Sequence, residues 1–465
     1  MGKLKIRGKE LIKLGFPEGP AVGMAINMMH KHYKRSSKEE VFIVLRALLE
    51  EPDKYAEDEV LGRIVEALNY KKKEAQEVAL RNEGIKYELF GSDQIEAGAL
   101  DQMNTAMQLP VSVAGALMPD AHHGYGLPIG GVLATENAII PYGVGVDIGC
   151  RMCLTVYDLK ESFLERERSK LKTLLQKNTR FGHTAFQQPM DDPLFERSEF
   201  KEIPKVKELK QKAVKQIGSS GGGNHFVEFG LVKVNEFTDD LKLEPGTYLA
   251  LLSHSGSRGL GANIANYYTK LAMERTKLPK RAKHLAWLNL DSEEGMEYWL
   301  AMNLAGDYAS ACHDHIHRRI ASALGEQPIA KVENHHNFAW KQVLPDGRQV
   351  IVHRKGATPA GKGELGVIPG SMTAPGFIVR GKGSEVSLQS ASHGAGRVMS
   401  RRQAMNSITK HQVKKMLSEH NVDLIGGGLD EAPIAYKDIH KVMKAQQSLV
   451  DVIGAFYPKI VRMEG

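Results

Sequence analysis

The residues predict a fold of both helices and strands, helical at its start and mixed afterwards. Two observations carry this. Up to about residue 85, apolar residues recur at helical spacing behind a capping motif. From about residue 86 glycines thicken, β-branched runs appear and the loops fill with His, Asn and Ser. A chain of 465 residues can bury a large core and has room for two or three domains.

Taken in order, Ser37-x-x-Glu40 is a capping box ahead of the apolar run 41–49, and Val60-Leu61-x-x-Ile64-Val65-x-x-Leu68 has helical periodicity. Residues 1–85 therefore read as a helical N-terminal extension and 86–465 as the main domain. Lys71-Lys72-Lys73 reads as solvated charge on that extension. Met118–Gly131 reads as a loop packed against a strand, 160–216 as mostly helical, and Thr247–Leu252 as a strand. Further helices are expected over 261–275, 294–323, 401–419 and 436–455. No internal repeat is visible.

Composition narrows the function classes. Hydrophobic (42%) and charged (25%) shares are those of a soluble globular protein. The net charge of +7 suits a polyanionic partner. Three cysteines are too few for a disulfide scaffold and fit a reducing compartment. The first residues lack an apolar signal segment, and no apolar run approaches the ~20 residues that span a bilayer. The expectation is a cytoplasmic protein with no membrane partner.

The chemistry concentrates in short glycine-flanked clusters. Asp147-Ile148-Gly149-Cys150 sets a carboxylate and a thiol three residues apart on a turn, where both can face one ion. Cys153, which completes a Cys-x-x-Cys spacing, falls in an apolar stretch and reads as core. Gly221-Gly222-Gly223-Asn224-His225 exposes successive backbone N–H groups that can cradle phosphates beside an imidazole. Ser253-His254-Ser255-Gly256-Ser257-Arg258 follows a strand and offers a ligand plus a phosphate clamp. Glu333-Asn334-His335-His336-Asn337, His353-Arg354-Lys355 and Pro369-Gly370-Ser371-Met372 follow. Ser392-His393-Gly394-Ala395-Gly396-Arg397 places a histidine among small residues, open to a bulky charged group. Cys312-His313-Asp314-His315-Ile316-His317 looks like a metal box, but its amphipathic setting makes a solvated helix face the expectation. These residues alone suggest Asp147, Cys150, His225, His254 and His336 around one or two metals, with phosphoryl or nucleotidyl transfer as the reaction class.

The ordered clusters VGVDIGC, GGGNHF, HSGSRGLG, ENHHNFA, HRKGAT, PGSM, SxSHGAGR and DEAPIAYKDI resemble those of RtcB-type RNA ligases over residues 86–465. The resemblance implies an α+β fold: a mixed-sheet core with surrounding helices and a metal site at the base of a cleft. It implies joining of RNA 2′,3′-cyclic phosphate or 3′-phosphate ends to 5′-hydroxyl ends, with GTP and two manganese ions, in tRNA splicing or RNA repair. Carried over by motif, His393 would be guanylylated and Cys150 would bridge the metals. His254 and His336 would complete one manganese site, and Asp147 with His225 the other. Asn224, Glu228, His336, Asn337, Ser371, Arg397 and Tyr436 would hold the nucleotide; Arg258, Arg354 and Lys355 would meet RNA. An archease-type activator is a candidate partner. Cys and His ligands alone favour zinc over manganese, so zinc is expected to compete. The family ends in Lys-Gly, whereas this chain ends Glu464-Gly465. Alternatives are a metal-dependent RNA phosphodiesterase or phosphatase without guanylylation, and a non-catalytic RNA-binding protein.

Overall fold

The computed structural model describes residues 6–17, 20–34, 36–69, 76–188 and 190–465. Lys71, Lys72 and Lys73 lie outside them. The chain divides into two compact units, Met1–Ala75 and Gln76–Gly465.

The first unit packs the helices Gly8–Leu14, Pro20–His32, Lys38–Glu50 and Gly62–Asn69 around Leu11, Met29, Val41, Leu45, Leu48 and Ile64. The capping box forms: Ser37 Oγ accepts from Glu40 N at 3.2 Å, and Glu40 Oε2 accepts from Ser37 N at 2.8 Å.

The second unit is α+β. Its larger sheet runs Pro328–His335, Arg151–Tyr157, Gly246–Ser255, Phe226–Val234, Val450–Met463, Gly376–Gly381, Leu365–Ile368, with Asp423–Ile425 alongside Val450–Met463. A second sheet runs Asn337–Val343, Gln349–Lys355, Ile129–Thr135, Ser112–His122, Glu88–Leu89. The larger sheet is buried on both faces. Leu249 and Leu251 pack towards the helices Glu161–Asn178 and Glu293–Leu324, while Ala250 and Leu252 pack the other way.

Antiparallel pairing decides where the chemistry gathers. Met152 and Phe226 both pair with His254, Met463 pairs with Phe226, and His335 pairs with Arg151. The start of two strands and the end of three others therefore share one edge of the sheet, and the glycine-flanked clusters hang from that edge.

Three expectations fail here. Residues 436–455 are not one helix: Ile439–Ala445 is helical and Val450–Met463 is a strand. The β-branched residues from Val450 to Val461 complete the sheet, and Pro458 is tolerated because the register shifts there. Residues 401–419 form two helices, because Thr409 starts a new one through a capping box with Gln412. The helix carrying His313, His315 and His317 is not a solvated face; all three are buried. Ser253 and Thr155 meet His313 and His317 from the sheet, and Asp192 pairs with His315 at 2.8 Å.

Candidate active site

A cleft of about 310 Å³ opens at that sheet edge. Asn224, Glu228, His254, His336, Ser371, His393, Arg397 and Tyr436 line it, as do His122, Arg401 and Glu431, which sequence reasoning passed over.

A file of ligand-type side chains begins at its floor. Asp147 Oδ2 lies 2.9 Å from His225 Nε2, and Cys150 Sγ lies 3.3 Å from His225 Nε2 and 3.1 Å from His254 Nε2. His254 Nε2 is 3.2 Å from His336 Nε2, and the His336 ring lies tilted against His393 with centroids 4.9 Å apart. Two nitrogens bound to a common ion at about 2.1 Å sit ~3.0–3.4 Å apart, so the spacing suits a divalent cation. The tautomer suits it too. His254 Nδ1 lies 3.1 Å from the Asn224 carbonyl, which can only accept, so Nδ1 carries the proton and Nε2 turns a lone pair to Cys150 and His336.

Local sequence makes room for this. A Cβ at Gly221 would collide with the His225 ring, and one at Gly256 with the Asp147 carboxylate. Burial holds His254 down to about 3, and burial pushes the Cys150 thiol well up, with Asp147 adding to it. His336 is likewise pushed well below its ordinary value by burial and its neighbouring imidazoles. A cation between these groups reverses that balance for the thiol.

His393 is held differently. Its Nδ1 is 2.7 Å from Asp120 Oδ2, and the same oxygen accepts from the backbone N–H of His393 at 3.1 Å. Asp120 is fully buried. Burial alone would raise its carboxyl, but the hydrogen bond to His393, the charge interaction with it, and Lys437 together carry it below its ordinary value. The carboxylate fixes the Nδ1–H tautomer and leaves Nε2 with its lone pair free. Asp120 was legible only as part of the loop ahead of His122; nothing local tied it to a histidine 273 residues away.

The remaining residues divide. Burial raises the Glu228 carboxyl well above its usual range. Tyr436 donates to Glu431, and Arg397 lies 3.3 Å from Tyr436 Oη and 3.4 Å from Glu431. Asn337 does not line the cleft. It braces the Asp147 loop, accepting from Gly356 N at 2.8 Å and donating to the Asp147 carbonyl at 3.3 Å. Arg258 binds Ser219 Oγ and the Gly182 carbonyl. Arg354 and Lys355 are not brought to a surface. Arg354 is 1% exposed, donates to Ser390 and the Leu388 carbonyl and stacks on Trp340. Lys355 is buried against the Tyr125 and Tyr142 carbonyls. Neither occupies the position of an RNA contact. The Glu464 carboxylate lies over Gly182 and Gly222.

Residues 102–464 match the family described as tRNA-splicing ligase RtcB. The chain belongs to that family. The RNA-splicing ligase RtcB of Escherichia coli is 34% identical over 394 residues, 77% of this chain and 92% of that protein. The tRNA-splicing ligase RtcB of Thermococcus kodakarensis is 28% identical over 411 residues, 73% of this chain and 85% of that protein. The RNA-splicing ligase RtcB of Mycobacterium tuberculosis is 30% identical over 413 residues, 74% of this chain and 94% of that protein. Among the described residues no helix is long and apolar enough to cross a membrane.

Proposed function

We propose that this RtcB-family chain is a GTP- and manganese-dependent RNA ligase, working in the cytoplasm on tRNA or on broken RNA. It joins a 2′,3′-cyclic phosphate or 3′-phosphate end to a 5′-hydroxyl end. The observation that carries the reading is His393, with Nδ1 fixed by buried Asp120 and its ring tilted against His336 of the Cys/His file. A histidine so held presents Nε2 for attack on phosphorus.

In this reading a cyclic phosphate is first opened to a 3′-phosphate. His393 Nε2 then forms a bond to the α-phosphorus of GTP as the bond to pyrophosphate breaks. The RNA 3′-phosphate displaces the histidine and takes the GMP; the 5′-hydroxyl attacks the activated end and GMP leaves. Asp147, Cys150, His225, His254 and His336 would hold two manganese ions, which supply charge neutralisation at phosphoryl oxygens. Asn224 and the glycine loop suit the phosphates, and Glu228 suits the guanine edge. Ser371, Arg397 and Tyr436 complete the nucleotide wall. An archease-type protein is the candidate activator.

The test is incubation with α-phosphate-labelled GTP and manganese, with and without an archease. Acid-labile label on wild type and none on His393→Ala supports the ligase. No label on either removes it. One observation favours a second reading, a metal-dependent RNA phosphodiesterase. Glu464 puts a carboxylate against Gly222 in the phosphate loop, where it repels an incoming triphosphate. Cleavage of a cyclic-phosphate RNA without label on protein selects that reading.

A further inference from the structure

Beside the glycine loop lies a cluster of arginines that the chemistry above does not use. Residues 180–182 are tied to the residue before that loop: Phe181 pairs with Ser220, and Ser220 N donates to the Arg180 carbonyl at 2.7 Å. Arg180 and Arg319 both stack on the Phe186 ring, with guanidinium carbons 4.7 and 3.5 Å from its centroid. Arg462, from the strand Val450–Met463, stacks on Phe181 at 5.8 Å.

Among the described residues no carboxylate forms an ion pair with Arg180, Arg319 or Arg462, whereas Arg168, Arg197, Arg380 and Arg401 each have one. Arg180 spends donors on the carbonyls that end the helix Glu161–Asn178, and the Arg319 hydrogen bond goes to the Met190 sulfur. Burial lowers the pKa of both Arg319 and Arg462, and the charge of Arg180 lowers each further. Three like charges drawn together without an acid cost folding free energy, and stacking on aromatic faces only partly offsets it. A guanidinium stacked on a ring keeps its in-plane N–H groups at the edge, in the geometry that grips a phosphate with two hydrogen bonds. Spaced arginines interleaved with aromatic rings match a phosphodiester chain better than an isolated anion.

We propose that Arg180, Arg319 and Arg462, held on Phe181 and Phe186, form a docking track for single-stranded RNA leading to the glycine loop. The proposal rests on the RNA-joining reading only for the identity of the polyanion. It names a surface separate from the residues that handle GTP and metal.

The experiment is fluorescence anisotropy of a labelled twelve-nucleotide single-stranded RNA ending in a 3′-phosphate, titrated with the full chain at several salt concentrations. The Arg319→Gln/Arg462→Gln double variant is expected to bind at least ~10-fold more weakly. Its salt dependence should be shallower, by about 0.7 in log–log slope for each phosphate that the variant leaves unneutralised. Arg319→Lys, which keeps the charge, is expected to restore most of the slope. Unchanged affinity and slope in the double variant overturn the proposal, as does a loss that comes with a lowered melting temperature and that the lysine does not rescue. Labelling of His393 by GTP is read in parallel. Retained label with lost RNA binding supports the track. Wild-type RNA binding with this dependence but no label leaves the track standing and removes the ligase reading alone.

Discussion

Two cysteine–histidine clusters meet at the strands Arg151–Tyr157 and Gly246–Ser255, the second with its histidines on the helix Glu293–Leu324, and they are built to opposite ends. Cys150, His225 and His254 bring their ligand atoms within 4.8 Å of one another, and so do Cys153, His313 and His317. In the first, the ligand atoms face one another directly, with Cys150 Sγ 3.3 and 3.1 Å from two imidazole nitrogens, and the Nδ1 atoms of His225 and His336 are buried without partners among the described residues. In the second, a hydroxyl sits between the rings. Ser253 Oγ is 2.6 Å from His313 Nδ1 and 2.7 Å from His317 Nε2, and Thr155 Oγ1 is 2.9 Å from His317 Nδ1. His313 Nε2 faces the Ser255 carbonyl at 3.1 Å, so it donates there and its Nδ1 accepts from Ser253. Every ring nitrogen of the second cluster is used. The first asks for an ion; the second is a closed hydrogen-bond chain. The strand pleat separates them, because Ser253 and His254 point to opposite faces, as do Cys153 and Met152.

The largest effect that tests this contrast is on metal affinity. Cys150→Ala is expected to weaken manganese binding at least ~100-fold, since losing even an outer partner of a ligand costs about 10–100-fold. Cys153→Ala should leave it within about twofold. Calorimetric titration of the two variants decides, and equal losses would erase the distinction between the clusters.

A second, smaller effect is on stability. Ser253→Ala strips the shared partner from two buried imidazoles, and an unpaired buried polar group costs about 1–3 kcal/mol. A loss of about 2 kcal/mol in urea unfolding is expected, with manganese affinity unchanged. If the variant instead takes up zinc with no loss of stability, the second cluster is a latent metal site blocked by one hydroxyl.

How far the sequence foretold this contrast depends on the range of the interaction. The capping box at Ser37 and the glycine crowding His225 act over a few residues, so motif reading reaches them. The α+β texture is visible in the same way. The partner of His393 is not, because Asp120 reaches it through tertiary packing alone. The burial of His313 and His317 escapes for a related reason. A histidine on an amphipathic helix is a solvated residue until a hydroxyl from another strand meets it, and Ser253 gives no sign of doing so in one dimension. Arg354 misleads in the opposite sense: a cation in a polar loop motif proves to be strand core, stacked on Trp340. Residues 450–455 read as helix because apolar spacing there is ambiguous, and only pairing with Gly376–Gly381 selects the strand.

The smallest expected effect is on acid sensitivity, and it again separates hydrogen-bonded histidines from ordinary ones. Burial holds His317 down to about 3 and His353 to about 4. In the unfolded chain both return to about 6.5. The unfolded state then binds protons between about pH 6.5 and 3 that the folded state refuses. Each histidine's contribution is therefore complete above about pH 6.5 and declines as the pH falls through that window. Between about pH 7 and 5.5 the loss is about 1 kcal/mol per histidine. Urea unfolding of wild type and His317→Gln at both pH values isolates one of them. The variant starts less stable but is expected to lose about 1 kcal/mol less on acidification. An identical loss in the two proteins would mean that His317 takes up its proton in the folded chain, and the closed hydrogen-bond chain through Ser253 would have to open to admit it.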